Sequence, residues 1–378
     1  MAQRIMSDYQ KYLKEQKEKE EKLKHLEHPE DHFLEAGELG YHHAIDVLAQ
    51  VHNTLANKPG GIKKLSMKVD GSPSIVAGYH PQTKRFFVAT KSAFNKTPKV
   101  NYTDEDIDRH HGDKPELAEK LKTALKHLPK VIHSGIHQGD YLHDPKMRNR
   151  EGGEVHFKAN VVQHSLAQDS EEAEKVMKSK MGIAFHTHYT GTDLSNLKAH
   201  HGTKGTFSSH PDVHVMDLTH DKSFDNYSPV KQKQFVTHLR AAEKYHKKDP
   251  YEKIRLHKDL LKQYINKTVR DNTAKSAKGY EDFLVNKENV TNKAGRLAEL
   301  RKHPGAFETA FKLHRHLEGA KNALVRSMSK MHGDHKFSIN GEESKPEGYV
   351  AVTQDGRPIK LIDRSEFSRS NFNKKPRK

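Results

Sequence analysis

The chain has no cysteine, no tryptophan, only 7% aromatic residues and no apolar run of membrane-spanning length. The absence of cysteine excludes disulfides, thiolate-liganded zinc and thiol nucleophiles together. A transmembrane helix needs about 20 mostly apolar residues, and no stretch approaches that. Residues 1–20 are polar and lysine-rich, without the apolar core of a secretory leader, so the expectation is a cytoplasmic protein with no membrane partner. A hydrophobic fraction of 33% beside 31% charged residues implies thin cores and much solvated helix.

Positive charge is in excess. Within 378 residues, 66 Lys+Arg outnumber 50 Asp+Glu, and a formal net charge of +16 attracts polyanions, nucleic acid and nucleotides first among them. General stickiness is the competing reading. Histidine is also frequent, with 30 copies. The pairs His110-His111 and His200-His201, and the alternating His186 and His188, raise the question of zinc. None of them sits in an H-E-x-x-H or comparable spacing, so these histidines read as scattered surface residues.

Residues 3–28 mix Lys and Glu and predict an exposed helix with internal ion pairs. In 41–57, Ala44, Leu48, Val51 and Leu55 recur at helical spacing and predict one buried face. Extended segments are expected from Leu65, at 74–78 and at 85–91, with a turn at 80–84 joining the last two. Leu117, Leu121, Ala124 and Leu128 mark another helix. Strands follow at 134–142, 154–166 and 182–189, the last two separated by a short helix that Asp169 or Ser170 caps. The character then changes. Four helices are predicted at 231–248, 251–269, 280–303 and 307–331, punctuated by Pro229, Pro250, Gly279 and Pro304. Strands return at 347–353 and 358–363.

The fold class is therefore α+β. An N-terminal helical region (1–60) precedes an antiparallel-sheet core (61–227 and 333–364), which a helical lobe (228–332) interrupts, and a basic tail (365–378) follows.

Lys68-Val69-Asp70-Gly71-Ser72 carries the chemistry. If residues 65–70 are extended, Lys68 and Asp70 share a face, and Gly71 lets the backbone pass close to a ligand. An amine beside a carboxylate suits a covalent nucleotide carrier. Such an amine attacks phosphorus only when neutral, so burial, cationic neighbours or a metal ion must favour that form. The plain alternative is a surface lysine before a turn.

Five further segments follow in order: Val88-Ala89-Thr90-Lys91-Ser92, Gln138-Gly139-Asp140-Tyr141-Leu142, Gly182-Ile183-Ala184-Phe185-His186, Glu347-Gly348-Tyr349-Val350 and Ile359-Lys360-Leu361-Ile362. With Lys68-Val69-Asp70-Gly71, this set resembles the collinear motifs of the covalent nucleotidyltransferase superfamily, which holds ATP-dependent DNA and RNA ligases and mRNA-capping enzymes. The nearest likeness is to ligase-like proteins of large tailed phages. The resemblance implies an ATP-grasp-like ligase core without a C-terminal OB domain. It makes Lys68 the nucleophile that takes AMP. Lys91 and Lys360 become the cations on the α-phosphate, and Phe185 the ring stacked on the base. Glu347, with Asp70 and Asp140, would hold magnesium or manganese, and Gly71 joins the nucleotide site. ATP and a nucleic acid are the implied partners, RNA more than DNA because Ser72 follows the glycine. Two departures stand out. Asp140 replaces the usual glutamate, and Ile362 stands where the family has a second lysine, leaving Lys360 alone unless Arg364 substitutes. A DNA end, another acceptor, or a catalytically degenerate nucleic-acid-binding protein remain the alternatives.

Overall fold

Ala44, Leu48, Val51 and Leu55 line one stripe of helix α1 (His32–Leu55), and all four are buried, as their spacing requires. The computed structural model describes residues 8–15, 26–203, 207–219, 227–328, 335–339 and 341–365. Of the Lys/Glu-rich helix expected at 3–28, residues 8–15 are helical, and most of the remainder, like the basic tail beyond residue 365, lies outside the described residues.

Strand β1 (Lys64–Lys68) leads through the Asp70-Gly71 turn into β2 (Ser74–Tyr79) and β3 (Phe86–Ala89). Helices α2 (Asp104–His111) and α3 (Pro115–His127) follow, then β4 (Ile136–His143), β5 (Arg148–Glu151), β6 (Glu154–Lys158) and β7 (Gln163–Ala167). Helix α4 (Glu171–Lys178) starts where Ser170, one of the two caps expected from sequence, accepts a hydrogen bond from the Ala173 amide. Strands β8 (Met181–Thr190), β9 (Lys198–His201) and β10 (Val213–Val215) complete this half. The helical region contains α5 (Pro229–His246), α6 (Tyr251–Ile254), α7 (Lys258–Asp271), α8 (Ala277–Asn286), α9 (Lys293–Lys302) and α10 (Pro304–Met328). Strands β11 (Lys336–Ile339), β12 (Glu342–Ser344), β13 (Gly348–Val352) and β14 (Pro358–Leu361) close the chain.

The strands form three sheets, ordered β1-β13-β14, β10-β8-β4-β2-β3 with β9 also on β8, and β12-β11-β7-β6-β5. Among the described residues every strand pairing is antiparallel except β8 with β10, so the α+β class holds. Three expected elements are divided, the helix expected over 251–269 among them, which splits into α6 and α7 around a 3-10 turn at Arg255–His257. The extended stretch 154–166 is the hairpin β6-β7, and the helix expected over 280–303 breaks into α8 and α9 where Asn289 and Asn292 turn left-handed, a conformation asparagine tolerates.

The helices of 229–328 are not a detached lobe. Phe307, Phe311, Leu317 and Leu324 share one core with Val47, Leu48 and Val51 of α1 and with Tyr349, Ala351, Ile359 and Leu361 of the three-stranded sheet. That sheet has its other face turned away from the helices. On the strands' period of two, Lys64 and Lys68 of β1, Val350 and Val352 of β13, and Lys360 of β14 point the same way. They face the six-stranded sheet, whose far side packs on Ala118, Leu121 and Ala124 of α3.

Candidate functional site at Lys68

Between the three-stranded and six-stranded sheets lies a cavity of about 750 Å³. Lys68, Lys64 and Lys360 line one wall, Asp140, Gln138 and His186 the other, and Lys91 the rim beyond β3. Residues separated by most of the chain thus meet at one opening.

The β1-β13 register sets Lys68 opposite Gly348, which leaves Glu347, one residue earlier, beside the lysine. Lys68 Nζ donates to Glu347 Oε2, with the lysine side chain 30% exposed and the carboxylate 10%. Burial pushes the Glu347 carboxyl up from its ordinary value; Lys68 opposes this shift, while the charges of Asp70 and Asp140 add to it. Asp70 accepts from Asn160 Nδ2 at 2.8 Å, and Asp140 Oδ2 lies 3.8 Å from His186 Nε2. Gly71 is required by close approach: a Cβ there would meet the Tyr141 carbonyl oxygen at 2.6 Å and Asp140 Cβ at 2.8 Å. The carboxylates of Asp70, Asp140 and Glu347 do not close into a trio within 4.8 Å; among the described residues only Glu38, His42 and His246 do so.

Lys360 sits in register with Val350 and projects into the cavity. Burial, then Arg364, then Lys68 push its ammonium down to about 8. Arg364 does not replace the missing second lysine. It is buried, ion-paired with Asp31 and 3.5 Å from Glu30, and Ile362 packs into the core beside Val69 and Leu142.

Phe185 is a correction. Strand alternation sends Ala184 and His186 into the cavity and Phe185 to the opposite face, where its ring stacks on Phe207 at 4.3 Å. The rings that do line the cavity are Phe94 and Tyr189, with centroids 5.0 Å apart. Sequence reasoning missed both, because Phe94 lies in the turn after Lys91 and Tyr189 follows an irregularity in the β4-β8 pairing. His201 also lines the cavity; burial pushes its ring down to about 3, and Ser66 Oγ lies 3.3 Å from its Nε2. His188 instead bonds the Gly202 carbonyl, so the histidine pairs singled out in the sequence are not brought together as a metal site.

A family model matches residues 23–377, nearly the whole chain, and its description is a family of unknown function, DUF6267. The chain belongs to DUF6267. No curated protein and no solved structure matches this DUF6267 chain. Among its described residues no helix is long and apolar enough to cross a membrane.

Proposed function

We propose that this DUF6267 protein is an ATP-dependent nucleotidyltransferase of the polynucleotide-ligase type, working through a lysyl-AMP formed on Lys68. One observation carries the reading: Lys68 from the first half of the chain meets Glu347 and Lys360 from its last strands, beside a cavity where a triphosphate has room. In the first step the Lys68 amine bonds to the α-phosphorus, the bond to the bridging oxygen breaks, and pyrophosphate leaves. Glu347 is the nearest base for the amine proton, and its burial makes it a better acceptor than an exposed carboxylate. Lys360, with Lys91 at the rim, meets the negative charge that develops on the phosphate oxygens. AMP then passes to a 5′-phosphate, and a 3′-hydroxyl displaces it to seal the strand.

The carboxylates of Glu347, Asp70 and Asp140 are hard oxygen donors close enough for Asp70 and Asp140 to act on the Glu347 carboxyl, whose upward shift is due first to burial. They fit a magnesium or manganese ion that takes its remaining ligands from phosphate and water. When bound, that ion supplies further charge neutralisation at the phosphates.

Lys63, Lys64 and Lys91 around the opening support a polyanionic substrate, and Ser72 after Gly71 favours RNA over DNA. A second reading, nucleic-acid binding on a non-catalytic scaffold, draws on the apolar Ile362 and the committed Arg364. Incubation with each α-labelled nucleoside triphosphate and magnesium separates the two. The ligase reading expects acid-labile label from ATP, transferable to nicked RNA duplexes; absence of label from all four nucleotides rejects it.

A further inference from the structure

With a chemistry unlike that of the lysine cavity, α1 and α5 bring a carboxylate and two imidazoles together. Glu38 and His42 are one turn apart on α1, with Oε1 3.7 Å from Nε2. His246, at the end of α5, completes the group: one ligand atom from each of the three lies within 4.8 Å of the others. An exposed Glu/His pair at this spacing is by itself an ordinary surface contact. His246 makes it more than that, because its ring is fixed from two sides. It stacks on Tyr41 at 4.0 Å, and its Nδ1 shares a hydrogen bond with the Tyr251 hydroxyl at 2.6 Å. If Nδ1 is the donor, Nε2 keeps the lone pair that a metal needs, the arrangement by which an outer partner orients a ligating imidazole. Tyr251 is itself seated against the kink in α1, where Gly37 has φ 60 and a Cβ would lie 3.4 Å from Tyr251 Cβ.

We propose that Glu38, His42 and His246 bind a divalent transition-metal ion of the zinc class, with water in the fourth position. The donor set of two imidazoles and one carboxylate suits zinc and its neighbours better than magnesium or calcium, which prefer oxygen throughout. Tetrahedral bonds of about 2.0–2.1 Å set ligand atoms roughly 3.3 Å apart. The Glu38–His42 pair is already near that separation. The remaining closure falls on side chains 64% and 45% exposed, which rotate freely. Asp249 and Glu243 lie close enough to His246 to add a favourable field for a cation. The ion would tie α1, which leads into β1 and Lys68, to the helical region. Its chemistry is separate from the reaction at Glu347.

Metal-free full-length protein is titrated with Zn²⁺ by calorimetry at pH 7, and with Co²⁺ while visible absorption reports imidazole coordination. The proposal expects one saturable equivalent with tetrahedral Co²⁺ bands. Both are lost in the Glu38→Gln, His42→Asn, His246→Gln triple variant, while weak binding by the other histidines persists. His42→Asn alone, at a half-exposed position, loses the bands with an unchanged circular dichroism spectrum. No saturable equivalent in the unaltered protein, or one retained by the triple variant, overturns the assignment.

Discussion

Lys68 and Glu347 are ion-paired although 279 positions separate them, because β13 returns antiparallel to β1 with Gly348 opposite the lysine. This pairing sets Lys68 on the wall of a cavity and not merely before a turn. It also depends on the two sheets that enclose it, so the predictions test both the chemistry and its supports.

Lys360 carries its charge at pH 7 and sheds it as pH rises through about 8. The second-order rate of lysyl-nucleotide formation, which reports the free enzyme, falls on the alkaline side with a midpoint near that value. Lys360→Arg moves this limb upward, and Lys360→Ala lowers the rate by about 100- to 1,000-fold. The depressed value also links to folding. Its stabilising effect is complete above the ordinary lysine value of 10.5 and is lost as pH falls through about 8, so denaturant unfolding shows stability rising across that window, and Lys360→Met removes the rise.

Gly71→Ala forces a Cβ against backbone and the base of Asp140 at under 3 Å, where no flexible side-chain end can yield. A loss of about 1–3 kcal/mol in denaturant unfolding is expected, as for overpacking elsewhere. Nucleotide transfer falls further than stability does, because Asp70 and Asp140 both move.

Phe185 and Phe94 should separate stability from binding. Phe185→Ala removes a buried ring from the α3 side of the sheet and costs about 3–5 kcal/mol in unfolding, without changing nucleotide affinity. Phe94→Ala trims a half-buried ring at the edge of one core cluster, costs less stability than Phe185→Ala, and weakens adenine nucleotide binding by about 0.5–1.5 kcal/mol, the usual worth of an aromatic contact. The opposite pattern in calorimetry would return Phe185 to the base-stacking role.

Lys321 and Glu30 are ion-paired with no exposed side-chain surface on either. Lys321→Met leaves a buried carboxylate short of one cation and costs about 3–5 kcal/mol in unfolding. Adding Glu30→Gln recovers part of the loss, a coupling that a double-mutant cycle measures.

The site was legible where chemistry and local geometry coincide. Lys68, Asp70, Gly71 and Glu347 stand out because an amine, carboxylates and a glycine occur at strand ends, and β1, β2, β3, β8 and β13 follow apolar patterns. Of the five-stranded sheet only the β6-β7 stretch was legible. Arg148–Glu151 and Glu342–Ser344 are polar edge strands with no alternation to reveal them, and β11 reaches β7 only through long-range pairing. Phe185 failed for a different reason. A period of two tells which residues share a face, but which face meets the cavity is decided by the sheet on the other side. Arg364 was legible as a cation and not as the buried partner of Asp31, whose other neighbour, His314, lies on α10.

The most direct measurement is peptide mapping of the protein after reaction with ATP and magnesium, with Lys68→Ala in parallel. The account predicts an AMP adduct on the peptide containing residue 68, absent from the variant, whose unfolding midpoint stays close to that of the unaltered chain. An adduct on another residue, or none at all from any nucleoside triphosphate in a folded preparation, would contradict it.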